Sequence, residues 1–161
     1  MATLTDAPGI RAIYNAAVET IYTFDLRPRS LDEQEAWIEK RSGAYAAIVA
    51  VDDAEVVGFA SLSSYRDRPA YSTTVEDSIY VREDQRGRGV GRQLLDELLD
   101  VARQHGFHSV IARIVAHNEA SIALHRAAGF DTVGIEREVG RKFRTWLDVA
   151  CMQRLLTDSD R

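Results

Sequence analysis

A chain of 161 residues, 45% apolar and 28% charged, is long enough for one globular domain with a sizeable core. Its net charge of −5 argues against a general nucleic-acid binder, and its longest apolar run, Ala44 to Val51, is far too short to span a membrane. No apolar leader precedes Asp6, and the lone Cys151 excludes an intramolecular disulfide, so a cytoplasmic protein is expected.

Residues 6–20 place Ile10, Ile13, Tyr14, Ala17 and Val18 at helical spacing behind an Asp able to cap. The stretch Ile21 to Pro28 is aromatic for a loop; its Tyr22 and Phe24 are expected either to wall a substrate site or to tuck under the domain. Ser30 and Glu33 form a capping-box pair that opens a second helix towards Lys40. Ala44 to Val51 and Val56 to Ser63 read as strands of a hairpin turning at residues 52–55, and Gly58 marks a bulge or a close backbone approach. The connection Tyr65 to Thr74 carries Arg66, Arg68 and Tyr71, more side-chain chemistry than a linker needs.

Thr74 to Arg82 is a third strand, and it runs into Gly87, Gly89 and Gly91 at alternate positions. A helix follows, with Val90, Leu94, Leu95, Leu98 and Val101 on one face. Strand, glycine loop and helix start is a layout that turns unpartnered backbone N–H groups towards an anion. Arg86, Arg88 and Arg92 surround the same turn, so the stretch reads as a diphosphate cradle. It lacks the Gly-Lys-Ser/Thr of a phosphate loop, and Arg92 stands where a dinucleotide fingerprint needs its third glycine. Beyond Gly106, Ser109 to Val115 is a strand, Asn118 caps a helix ending at Ala128, and Phe130 to Val139 and Phe143 to Leu155 close the fold around a turn at Gly140-Arg141. Cys151, in an apolar run with Val149, Ala150 and Met152, reads as a buried hydrophobe. The element order indicates an α/β class with a mixed sheet, one domain over residues 1–161.

Arg86-x-x-Gly89-x-Gly91 resembles the acyl-CoA loop of the GNAT acetyltransferase superfamily, and Asn118-x-x-Ser121-x-x-x-His125-x-x-x-Gly129-Phe130 resembles its second CoA-binding segment. Tyr71-x-x-Thr74-Val75-Glu76-x-Ser78-Ile79-Tyr80-Val81 and Lys142-Phe143-x-x-Trp146-Leu147-Asp148-Val149 are similar to the phosphinothricin (amino-acid) N-acetyltransferase branch. The resemblance implies a mixed sheet flanked by helices, with central strands splayed at the CoA site. It also implies acetyl-CoA as donor and a small amine, such as an amino acid or analogue, as acceptor. Arg27 stands where that branch often carries Glu, and Ser72 where it often carries Arg.

Acetyl transfer requires a deprotonated amine, a polarised thioester carbonyl and a stabilised thiolate. Glu76 is the candidate base, working directly or through water, although alternation puts it and Asp77 on opposite faces without saying which is inward. By the resemblance, backbone at Ile79, Tyr80 and Val81 meets the pantetheine arm and the oxyanion, and Arg86, Gly87, Arg88, Gly89, Val90, Gly91 and Arg92 hold the diphosphate. Asn118 and Ser121 add hydrogen bonds, and His125 stands where relatives place the acid for the thiolate, though a hydrogen-bonding role is equally open to it. Phe24, Arg66, Arg68 and Tyr71 are the acceptor-side candidates, the arginines suiting a carboxylate. His105, His108 and His117 lack ligand spacing, so no metal is expected. Relatives pair through C-terminal strands, which implies a homodimer with Phe143, Trp146, Leu147 and Val149 at the interface. Acetylation of a protein N-terminus, a polyamine or an antibiotic amine, and a non-catalytic CoA-binding module, are the alternatives.

Overall fold

The computed structural model describes residues 1–41 and 43–156; residues 42 and 157–161, which fall within the expected domain span, lie outside the described residues. Helix α1, Ala7–Val18, begins with Pro8 in its first turn, where a missing N–H costs nothing, and buries the stripe Ile10, Ile13, Tyr14 and Val18. Asp6 precedes it but turns its carboxylate back to the Thr3 N–H at 2.8 Å. Helix α2, Leu31–Glu39, starts with the expected reciprocal box: Ser30 Oγ accepts from the Glu33 N–H at 3.1 Å and Glu33 accepts from the Ser30 N–H at 2.9 Å.

Strand β1, Ala47–Asp52, begins later than the sequence pattern predicts because Gly43–Tyr45 closes a 3₁₀ turn. A two-residue turn at Asp53 and Ala54, both left-handed, leads to β2, Glu55–Ser64, and a further 3₁₀ turn at Pro69–Tyr71 leads to β3, Thr74–Val81. Gly58 is a close approach: a Cβ there would lie 3.1 Å from the Tyr80 carbonyl, and the irregularity sits opposite, between Ala50 and Val51. Helix α3, Val90–Gln104, strand β4, Ser109–Val115, and helix α4, Glu119–Ala127, follow. The closing strands are β5, Asp131–Lys142, and β6, Thr145–Leu155.

The hairpin between β5 and β6 corrects the sequence reading. Phe143 and Arg144 make the turn in left-handed conformations, and Gly140 stays inside β5. Gly140 is needed for space: a Cβ there would stand 1.9 Å from Cε1 of Phe24, whose ring lies on the strand backbone.

The six strands form one sheet in the order β1-β2-β3-β4-β6-β5, antiparallel except for the β3/β4 pair. Helix α3 covers one face with Leu94, Leu95, Leu98 and Leu99 packed in a core with Leu62, Val75, Val110 and Met152. Helices α1 and α2 cover part of the other, setting Ile10, Ile13 and Ile38 with Phe59 and Tyr80. The mixed sheet flanked by helices is as the sequence predicts. Leu147 and Val149, expected at an interface, are 0% and 2% exposed within their own chain, whereas Phe143 and Trp146 are 59% and 55% exposed.

Candidate active site

The site begins where sheet pairing fails. β3 pairs with β2 from Val75 to Val81, but with β4 only at Thr74↔Ser109, Val75↔Val110 and Glu76↔Ile111. Beyond Glu76 the parallel strands part, leaving Asp77 to Val81 without partners on that side. The Arg82 N–H donates to the Val57 carbonyl at 2.9 Å. Alternate residues of an antiparallel ladder share the same bonding direction, so the peptide groups of Tyr80 face β2 and those of Ile79 and Val81 face the wedge. A wedge lined by unpaired peptide groups can take an extended polar ligand as an added strand.

β3 points this wedge at the glycine loop. Gly87 and Gly89 hold φ of 75° and 87°, and a Cβ on either would meet nothing within 4 Å, so what favours glycine there is conformation and an unobstructed approach. Gly89 is the N-cap of α3 and supplies no capping side chain; the first intrahelical bond from the loop is Gln93 N–H to Gly89 O. The amides of Val90, Gly91 and Arg92 are therefore left for an anion. Val90 packs its side chain against the core and offers backbone alone. Gly91 differs from its neighbours: a Cβ would stand 3.3 Å from Leu124 and 3.6 Å from Val81, so it permits close packing of α3 on α4 and β3. Arg86 is exposed at the loop and Arg88 bonds the Gln85 side chain at 3.0 Å. Arg92 departs from the expectation, because its guanidinium is held by Asp96 at 2.7 Å and the Ala127 carbonyl at 2.9 Å, joining α3 to the end of α4.

At the start of α4, Asn118 Oδ1 caps the helix by accepting from the Ser121 N–H at 3.2 Å. His125 lies on the same stripe but is buried, with Nε2 2.9 Å from Asp77 Oδ2 and Nδ1 2.7 Å from the Ser121 carbonyl. A carbonyl can only accept, so Nδ1 carries a proton, and the carboxylate favours a second one on Nε2. Burial pulls the His125 pKa down, but the hydrogen bond and charge of Asp77 outweigh it and the net shift is upward. Neither nitrogen is open to a departing thiolate, which departs from the expected acid role. Sequence reasoning missed Asp77 because its partner is distant in the chain; the only signal was its alternation with Glu76.

Glu76 faces the opposite side of the sheet, at the vertex of the wedge. It makes no hydrogen bond or ion pair through its side chain within the described residues. Burial raises its pKa; Arg113 on β4 opposes, and Asp77 and Glu136 reinforce the rise. Arg113 and Glu136 are ion-paired beside it. Cys151, opposite Arg113 in the β4/β6 register, is half-buried on this floor rather than sunk in the core. Burial raises its thiol pKa, Glu136 and Glu76 add to the rise, and Arg113 and Arg66 oppose it. The Arg66 guanidinium lies 5.0 Å from the Tyr65 ring centre and 5.8 Å from that of Tyr71. Arg68 is exposed at the head of the 3₁₀ turn that ends with Tyr71.

Phe24 belongs to the α1–α2 connection, which is tied down firmly. Buried Lys142 donates from Nζ to the Thr23 carbonyl at 2.8 Å, Tyr14 donates to Asp25, and Arg29 lies 3.6 Å above the Tyr14 ring. Phe24, Asp25, Leu26, Arg27, Arg29, Glu33 and Trp37 line a cleft of about 520 Å³ on this side. Arg27 is bound to Glu33 at 2.8 Å.

A sheet split beside a half-buried carboxylate, with a glycine loop and open helix amides at the end of the same strand, is the layout of a CoA-dependent acyltransferase. The description "Acetyltransferase (GNAT) family" matches residues 10–130, and the chain belongs to that family. It is 45% identical over 153 residues to an L-methionine sulfoximine/L-methionine sulfone acetyltransferase of Pseudomonas paraeruginosa, covering 93% of this chain and 89% of that one. A solved phosphinothricin acetyltransferase of Sinorhizobium meliloti in complex with acetyl-CoA superposes with a TM-score of 0.93 at 39% identity, covering 98% and 86% of the two chains. A ribosomal-protein-alanine N-acetyltransferase from Brucella melitensis superposes with a TM-score of 0.94 at 41% identity, covering 96% and 97%. The protein is an acetyl-CoA-dependent N-acetyltransferase.

Proposed function

We propose that this enzyme acetylates the amine of a small amino acid or amino-acid analogue of the methionine sulfoximine, methionine sulfone or phosphinothricin type. The observation carrying this reading is Glu76: a half-buried, unpaired carboxylate with a raised pKa at the vertex of the wedge. The amine attacks the thioester carbon directly while Glu76, alone or through water, removes a proton from nitrogen. Backbone N–H groups of Ile79 and Val81, facing the wedge, receive the charge that grows on the carbonyl oxygen. The C–S bond then breaks. A thiolate is a stable leaving anion, since a free thiol has a pKa of about 8.5, so the engagement of both His125 nitrogens costs little. His125 and Asp77 instead hold the Asn118–Ser121 end of α4 against β3. Gly87 to Arg92, with Arg86 and Arg88, hold the CoA diphosphate, and Arg66 and Arg68 meet the acceptor's carboxylate.

The test is a panel of amines with acetyl-CoA and free-thiol detection, including all amino acids, methionine sulfone, methionine sulfoximine, phosphinothricin, their carboxylate esters and an alanyl peptide. Turnover of the free acids with loss of binding by the esters is expected; equal turnover of acid and ester rejects the amino-acid reading. The similarity to the ribosomal-protein-alanine enzyme favours a second reading, a protein N-terminus, and preference for the alanyl peptide would select it.

We also place the enzyme in the cytoplasm, in keeping with its free thiol, and as a homodimer. β5 is an edge strand and exposes Val133, Ile135 and Val139, and the adjoining turn exposes Phe143 and Trp146. That apolar edge suits an isologous contact with a second copy. Light scattering at micromolar protein should give twice the chain mass, and a monomer mass would reject it.

A further inference from the structure

The acceptor floor carries a charge pair that the reaction does not use directly. Glu76 pairs with Ile111 in the β3/β4 register, which puts Arg113 on the same face and two residues, about 7 Å, further along β4. That is within reach of an arginine side chain, and an unpaired carboxylate beside an arginine ordinarily captures it. Here it does not, because Arg113 is bound to Glu136 on the outermost strand. We infer that Glu136 is a positioning residue for the base: by holding the Arg113 guanidinium on the β5 side of the floor, it leaves the Glu76 carboxylate free to take a proton from the acceptor amine. The inference rests on Glu76 being the base.

The charged and titratable groups around Glu76 are few. β3 itself supplies Asp77, on the opposite face and bound to His125, and Tyr80. β4 supplies Arg113, β5 supplies Glu136, and β6 supplies the Cys151 thiol. Arg66 comes from the β2–β3 connection, and β2 contributes only the Ser63 hydroxyl, 3.4 Å from the Glu76 carbonyl. Among the described residues, Arg113 is the single cation whose field acts on Glu76, and Glu136 is the anion paired with it. Losing either partner therefore moves Glu76 in opposite directions. Without Arg113, the remaining Glu136 charge opposes ionisation of Glu76. Without Glu136, Arg113 is released to pair with Glu76 and hold its proton affinity down.

The experiment follows the Glu76 side-chain carboxyl carbon by NMR titration of ¹³C-glutamate-labelled protein, its signal identified by loss in Glu76→Gln. Arg113→Gln should raise the midpoint, Glu136→Gln should lower it, and the double variant should return close to wild type. A partner that merely stabilised the fold would not give opposite signs or a restored double variant. Coincident midpoints in all four proteins, or shifts of the same sign, overturn the inference. The acidic limb of kcat/KM with L-methionine sulfone should move in the same two directions. An acidic limb that persists unchanged in Glu76→Gln instead shows that Glu76 is not the base, which overturns both readings and is distinguishable from a limb lost in Glu76→Gln but unmoved by the pair.

Discussion

Asp77 and His125 present a perturbation whose size can be worked out beforehand. Their side chains are 1% and 4% exposed, and the 2.9 Å contact joins β3 to α4 across the core. Asp77→Ala leaves a buried imidazole that carries a proton towards nothing. Breaking such a pair costs about 3–5 kcal/mol. At about 2–4 °C per kcal/mol for a domain of this size, Tm should fall by roughly 6–20 °C. Asp77→Asn should cost much less, because its amide N–H can donate to Nε2 of a neutral ring whose Nδ1 proton stays on the Ser121 carbonyl. The two variants also differ in pH dependence. His125 has a raised folded-state pKa, so its contribution to stability is complete below the unfolded value of about 6.5 and is lost as pH rises through the folded value. Wild type should lose stability across that alkaline window, and Asp77→Asn should not. Thermal unfolding followed by circular dichroism from acidic to alkaline pH decides the matter. A Tm within 2 °C of wild type for Asp77→Ala, or an unchanged pH slope in Asp77→Asn, would refute the reasoning.

Glu76→Gln should lower kcat/KM by about 10²-fold or more, the scale of a lost general base, with acetyl-CoA affinity little changed. The same substitution should stabilise the fold at neutral pH: a carboxyl with a raised folded pKa favours the folded state while protonated and loses that contribution as pH rises, and Gln remains neutral throughout. Gly89→Val should raise the acetyl-CoA dissociation constant strongly, because a branched side chain is disfavoured at its φ of 87° and stands over the free amides; an unchanged constant by calorimetry in folded protein would remove the cradle. Gly140→Ala should displace Phe24, whose ring is exposed enough to move, raising the acceptor KM with only a modest change in Tm. An unchanged acceptor KM would show that the Phe24 wall does not touch the substrate.

What was legible in the sequence was local. The glycines at 87, 89 and 91 sit between a strand and a helix, and each lies within a few residues of what it shapes, so the loop conformation and the open helix start could be read directly. Ser30 and Glu33 gave the α2 start for the same reason. Alternation separated Glu76 from Asp77, but a strand covered on both faces carries no mark of which side holds the site. The answer depends on His125, 48 residues away. Arg113 and Glu136 meet only because β5 and β4 both flank β6. The β5–β6 turn was misplaced because Gly140 has turn chemistry; its requirement comes from Phe24, which reaches it from another element. Arg92 looked like a third phosphate ligand until packing brought Asp96 and the Ala127 carbonyl to it.

The parting of β3 from β4 also bears on how long the molecule lasts. Across the middle of the sheet, strand pairing between the two halves is confined to one end, three residue pairs continued by the His108 and Ser109 N–H groups donating to the Thr73 carbonyl, and the strands part beyond them. A donor molecule lying along β3 would supply bonds there and stitch the halves together. By mass action, ligand at a hundred times its dissociation constant adds about 2.7 kcal/mol to the folded state. The cosubstrate is thus also a removable piece of the scaffold. Hydrogen exchange at the Ile79 and Val81 amides should therefore slow when acetyl-CoA is added, tying the stability of the seam to the donor supply.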